Sequence, residues 1–151
     1  MVQNTFKVAE VQVSYTPNYK VSDRPKITSS KQCYDLLIQH WDIGKIELLE
    51  QSKMLLLNRS NRILGLVDVS TGGVSGTVLD PKIIFSIALK ANTSSIILCH
   101  NHPSGNTYPS QMDIKLTERL KEGGKLLDIK IFDHLIITRD SYFSLADEGL
   151  M

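Results

Sequence analysis

At 151 residues, 42% hydrophobic and 22% charged, the chain has the size and composition of one ordinary globular domain, with enough apolar residues for a core without disulfides. A formal net charge of +1 argues against direct nucleic-acid binding, which needs a clustered excess of Lys and Arg. Cys33 and Cys99 make no disulfide framework, the N-terminus lacks a signal-peptide core, and no apolar run reaches transmembrane length, so a cytoplasmic protein with no membrane partner is expected.

In chain order, Phe6, Val8, Val11, Val13 and Tyr15 give a broken period-two alternation that predicts an N-terminal strand with a bulge near Ala9 and Glu10. Turn material follows at Pro17-Asn18 and at residues 22–25. Ser29 or Ser30 then caps a helix whose Tyr34, Leu37, Ile38 and Trp41 recur at helical spacing, with His40 at its end and a break at residues 42–44. Residues 53–57 are continuously apolar after Lys53, as in a strand buried on both faces, and residues 62–69 return as its hairpin partner. A connection at residues 70–73 leads to a short strand around residues 74–78. Asp80 and Pro81 have the N-cap and first-turn signature of a helix with Ile84, Phe85, Ile87, Ala88 and Ala91 on its apolar face.

The stretch 94–113, SSIILCHNHPSGNTYPSQMD, carries the chemistry. Ile96, Ile97 and Leu98 predict a buried strand ending in His100 and His102, which lie two apart and therefore share a face, with Cys99 opposite. A loop of turn formers follows, and Ser110 opens a helix with Asp113 in its first turn. Two histidines and a carboxylate are a common catalytic zinc set with a fourth position left for water. Ser110-x-x-Asp113 also reads as a capping box with Asp in place of Glu. The helix extends to about Leu127, although Gly123-Gly124 would favour an earlier stop. Strand-like runs at residues 129–132 and 135–137 flank Asp133-His134, and a return strand at residues 142–144 precedes a terminal turn of helix. The strand–helix–strand alternation predicts an α/β sheet with helices packed on it.

The string H-x-H-x(7)-S-x(2)-D, from His100 to Asp113, resembles the JAMM metalloprotease motif of JAB/MPN domains. With H-N-H-P-S-G and the later Asp133-His134-Leu-Ile-Ile, it is similar to the RadC branch of that superfamily, over about residues 50–149. The resemblance implies a JAB/MPN, cytidine-deaminase-like α/β fold, a mixed curved sheet with helices on both sides. It divides residues 1–151, read as one domain, into an N-terminal extension of about 1–45 and a JAMM core of about 46–151. It further implies a zinc-dependent hydrolase acting on a peptide or isopeptide bond. His100, His102 and Asp113 would be the Zn²⁺ ligands, and Ser110 would hydrogen-bond the reacting oxyanion or the metal-bound water. Zinc would bring the pKa of bound water down to roughly 7.

By the same resemblance, the acid–base carboxylate is Glu50, eight residues before Asn58, with Glu47 as runner-up. Asp133 and His134 lie outside the metal pattern and are read as a supporting pair. Two places depart from the family: Ser52 where an aromatic is usual, and Lys82-Ile83 where Arg-Glu is common. RadC-like proteins carry a DNA-repair label, but the charge gives it no support here, and the helix-hairpin-helix region that precedes the domain in long RadC proteins has no counterpart in this sequence. The competing classes are a non-catalytic JAB/MPN binding module and a factor linked to DNA repair or mobile DNA. Peptide or protein is the expected partner, and no residue pattern singles out a substrate or an oligomeric state.

Overall fold

The fold is described from a computed structural model, which defines residues 7–12, 14–72 and 79–151. The expected short strand around residues 74–78 lies outside the described residues, as do Phe6 and Val13 of the expected N-terminal strand. The described remainder of that N-terminal segment is not a strand: residues 7–12 and 14–16 have no regular structure, and Val8 and Val11 are 87% and 86% exposed. Alternation predicts a strand only where another strand can take its hydrogen bonds. Here the contact with the sheet is made by side chains, with the Tyr15 and Tyr19 hydroxyls donating to the Leu64 carbonyl.

From there the elements run α1 (Ser30–Gln39), β1 (Gln51–Leu57), β2 (Ile63–Thr71), α2 (Pro81–Lys90), β3 (Ser95–Asn101), α3 (Gln111–Leu127), β4 (Lys130–Ile137) and β5 (Tyr142–Ser144). The three helices begin where their caps predict. Ser29 accepts from Gln32 N–H, Asp80 accepts from Lys82 N–H with Pro81 following, and Ser110 and Asp113 form a reciprocal capping box. The C-terminal helical turn is a run of hydrogen-bonded turns over residues 145–149.

Among the described residues, five strands form one mixed sheet in the order β2-β1-β3-β4-β5. Every neighbouring pair is antiparallel except β3 and β4, which are parallel and joined through α3. Side-chain alternation gives each face its own core. On one face Leu55, Leu57, Ile97, Cys99, Leu135 and Ile137 pack with Cys33, Tyr34 and Leu37 of α1. On the other, Met54, Leu56, Ile96, Leu98 and Ile131 pack with Ile84, Phe85 and Ala88 of α2 and Leu120 of α3. Helices therefore cover both faces.

Two local features fix what reaches the end of β3. α3 passes through Gly123-Gly124 because Gly124 is where β4 crosses it: Ile129 N–H donates to the Gly124 carbonyl at 2.8 Å, and a Cβ there would lie 2.2 Å from the Ile129 oxygen. In β4 the register with β3 slips by one residue, Ile96 opposing Ile131 and Ile97 opposing Asp133. This bulge leaves Phe132 as the extra residue. Ile131 and His134 consequently face the α2/α3 side, whereas Asp133 turns to the α1 side.

Candidate metal centre

His100 is the penultimate residue of β3 and lies on the α2/α3 face, opposite Ser52 of β1. His102 follows one residue beyond the strand, its N–H bonded to the Ile137 carbonyl. The loop then folds back, helped by Gly105 at φ 84°, so that Asn106 can accept from the His102 ring, Nδ1 to O 2.6 Å. A carbonyl has no hydrogen to give, so Nδ1 carries the His102 proton and Nε2 keeps its lone pair. That Nε2 is 3.0 Å from His100 Nε2.

Asp113 enters from the first turn of α3. Its Oδ1 is 3.5 Å from His100 Nε2 and its Oδ2 is 3.9 Å from His102 Nε2. One ligand atom from each of the three residues lies within 4.8 Å of the other two. Ligand atoms held tetrahedrally about 2.0–2.2 Å from an ion stand roughly 3.3–3.6 Å apart, and the three distances, those to Asp113 each taken to the nearer carboxylate oxygen, bracket that spacing. Two imidazoles and a carboxylate suit a divalent transition metal. The donor set and its spacing therefore fit a metal ion.

Electrostatics favour the unprotonated donors that such an ion needs. Burial pushes the His100 ring down to about 3, with the His134 ring acting the same way and Asp113 opposing. Burial also holds His134 at about 4. For Asp113, burial works against the charge, but the His100 ring and the Ser110 O–H and N–H outweigh it and leave the carboxyl below its ordinary value. At neutral pH the site thus presents neutral His100 and His134 rings and one carboxylate.

Ser110 caps α3 and also touches the group directly. Its O–H and N–H both donate to Asp113 Oδ2, each at 2.7 Å, and its oxygen accepts from Asp113 N–H at 3.1 Å. The Asp133-His134 pair divides. The His134 ring lies between His100, Nε2 to Nδ1 2.8 Å, and Thr117, Nδ1 to Oγ1 2.7 Å. The Asp133 carboxylate instead takes Ser144 O–H at 2.6 Å, Ala146 N–H at 3.1 Å and only the backbone N–H of His134, at 2.7 Å. Burial pushes the Asp133 pKa up against those three donors.

Glu50 directly precedes β1, is half-buried, and accepts Gly72 N–H at 2.8 Å on its carbonyl. It stands two residues before Ser52, the residue opposite His100. Glu47 is exposed, in the turn of residues 43–48. Two residues of the site went unread in the sequence. Asn101, fully buried between the two histidines, ties residues 46–51 to the end of β3. Thr117, also fully buried, lies one helical turn after Asp113. That i,i+4 spacing was the available signal for Thr117.

A histidine pair at a strand end facing a helix-borne carboxylate, on a mixed sheet with three helices, is the arrangement of a JAB domain with a candidate metal site. Residues 27–150 match the RadC-like JAB domain, and the chain belongs to that family. It is 42% identical over 125 residues to a UPF0758 protein of Flavobacterium johnsoniae, covering 83% of this chain and 53% of that protein. A UPF0758 protein of Clostridium beijerinckii is 41% identical over 128 residues, 83% of this chain and 54% of its own length. One from Clostridium kluyveri is 40% identical over 134 residues, 89% and 58% respectively. The chain thus spans a little over half the length of these curated relatives. No helix among the described residues is long and apolar enough to cross a membrane.

Proposed function

We propose that the chain is a zinc-dependent hydrolase of the JAMM metallopeptidase type, acting on a peptide or isopeptide bond within the curved, cytidine-deaminase-like JAB/MPN architecture. The observation that supports this most strongly is the convergence of His100 Nε2, His102 Nε2 and the Asp113 carboxylate at ligand-to-ligand spacing. These three residues would hold the ion, which supplies Lewis-acid activation of water and of the scissile carbonyl.

The remaining chemistry belongs to the chain's own side chains. Glu50 takes the proton of the attacking water and returns it to the leaving amine, a role worth about 10²–10⁴ in rate. Ser110 O–H, which donates to Asp113 Oδ2 in the resting chain, turns to the oxygen that gains charge as water adds to the carbonyl, while Ser110 N–H stays on Asp113. Asp113, held below its ordinary pKa by the His100 ring and its Ser110 donors against the effect of burial, would supply the carboxylate ligand.

The test is a peptide-library cleavage assay with metal content measured on each sample. Glu50→Gln is expected to keep zinc and fold but lose cleavage, whereas Asp113→Ala loses zinc and cleavage together. Full activity in zinc-loaded Glu50→Gln would overturn the general-base assignment. A zinc-loaded wild type that cleaves no library member, yet binds a partner as tightly as Glu50→Gln does, would favour a non-catalytic module.

A further inference from the structure

A fully buried chain of hydrogen bonds runs from the backbone of α3 to the inner ring of the metal group. Thr117 Oγ1 is 2.7 Å from the Asp113 carbonyl oxygen and 2.7 Å from His134 Nδ1, and His134 Nε2 is 2.8 Å from His100 Nδ1. Thr117, His134 and His100 are 0%, 0% and 2% exposed, so water offers no alternative partners.

With neutral rings, four protons serve five close contacts, so one contact goes without, and the 2.7 Å approach of two oxygens at Thr117 and Asp113 is the one that most needs its proton. A carbonyl can only accept, so the single Thr117 hydroxyl proton goes to the Asp113 oxygen. The Thr117 oxygen must then accept, and His134 carries its proton on Nδ1. His134 Nε2 is thereby an acceptor, and His100 must donate to it from Nδ1. The His100 Nε2 lone pair is left facing His102 and Asp113. The opposite arrangement, His100 Nε2–H donating across 3.0 Å to His102, would reverse every link and leave the Thr117 and Asp113 oxygens 2.7 Å apart with no proton between them, whereas the first leaves two Nε2 lone pairs facing each other, where a cation can sit.

We propose that Thr117 is a positioning residue for the metal group, fixing through His134 the Nδ1–H tautomer of His100 so that its Nε2 can ligate. This role presupposes the metal site proposed above. It is a demand on the hydroxyl rather than on packing, because Val has nearly the same shape as Thr and cannot accept a proton. Without the acceptor, His134 would move its proton to Nε2, and His100 would follow, blocking its own ligating nitrogen.

The experiment is long-range ¹H–¹⁵N NMR on histidine-labelled, metal-free protein, with Zn²⁺ affinity measured by chelator competition. In wild type, His100 and His134 should both be neutral and protonated on Nδ1. Thr117→Val should shift His134 to the Nε2–H form and weaken Zn²⁺ binding by about 10–100-fold. Thr117→Ser should restore both wild-type readings. An Nε2–H tautomer at His100 or His134 in wild type would overturn the proposal without recourse to any variant. A folded Thr117→Val with unchanged tautomers and affinity would do the same. Wild-type protein that has the expected tautomers but takes up no Zn²⁺ would refute the metal site and leave the hydrogen-bond chain standing, so the two failures are distinguishable.

Discussion

Asn101 holds Gln51 by its backbone: Asn101 Oδ1 accepts Gln51 N–H at 2.7 Å, while Asn101 Nδ2 donates to the carbonyls of Ile46 and Leu49 at 2.7 and 2.9 Å. One amide between the two candidate ligand histidines therefore clamps the segment that carries Glu50 onto β1. Asn101→Ala should leave up to three backbone groups unpaired, each costing roughly 1–3 kcal/mol if it stays buried. A loss of at least about 2 kcal/mol is expected in urea denaturation of the metal-free protein. An unchanged midpoint would mean that water replaces the amide.

Acid should destabilise the metal-free protein well above the carboxylate range. His100 and His134 have folded pKa values of about 3 and about 4, against 6.5 ordinarily. Between those values and 6.5 the unfolded chain binds more protons than the folded one, so stability rises with pH there and is lost on acidification. The linkage slope is up to about 1.4 kcal/mol per pH unit for each ring. Asp113, with its lowered pKa, adds a loss of the same sign only below its ordinary 3.8. Denaturation midpoints at pH 7, 6 and 5 should fall in order, and a flat profile would contradict the buried neutral rings.

Gly124→Ala should destabilise despite the better helix propensity of alanine. The new Cβ would meet the Ile129 carbonyl at 2.2 Å, and backbone at a strand entrance cannot easily yield. A net cost of about 1–3 kcal/mol is expected. Gly123→Ala meets the Phe85 ring edge at 2.9 Å, a side chain that can shift, so its cost should be smaller. Thermal melts of the two variants give the order directly.

Added zinc should raise the melting temperature of wild type and leave that of His102→Ala nearly unchanged. At a free concentration of about 100 times Kd, binding to the folded state alone stabilises by about 2.7 kcal/mol. For a chain of this size that corresponds to roughly 5–10 °C. A shift of equal size in His102→Ala would place the ion elsewhere.

The grouping of the three candidate ligands was legible in the sequence because its geometry is encoded locally. Two residues apart on a strand, His100 and His102 share a face, and a capping box puts Asp113 in the first turn of its helix. The helices were equally legible, since Ser29, Asp80 and Ser110 each carry a cap chemistry that acts within three residues. What could not be read depends on distant chain. The N-terminal apolar alternation at Val8 and Val11 looks like a strand but has no strand pairing. Asp133 and His134 part because consecutive strand residues face opposite ways, and a bulge at Phe132 that exists only against β3 decides which of them joins His100. The role of Asn101 needs the turn of residues 43–48 brought alongside it.

The parallel pairing of β3 with β4 has one more effect. A parallel pair needs a crossover, and here the crossover itself carries Asp113 and Thr117 while its two strands carry His100 and His134. All the proposed ligands and their supports thus belong to one supersecondary unit, residues 95–137, and only Glu50 comes from outside it. A bound ion would act as a local staple, slowing amide hydrogen exchange in that unit. The β2 edge and the N-terminal segment would keep the exchange rates of the metal-free chain.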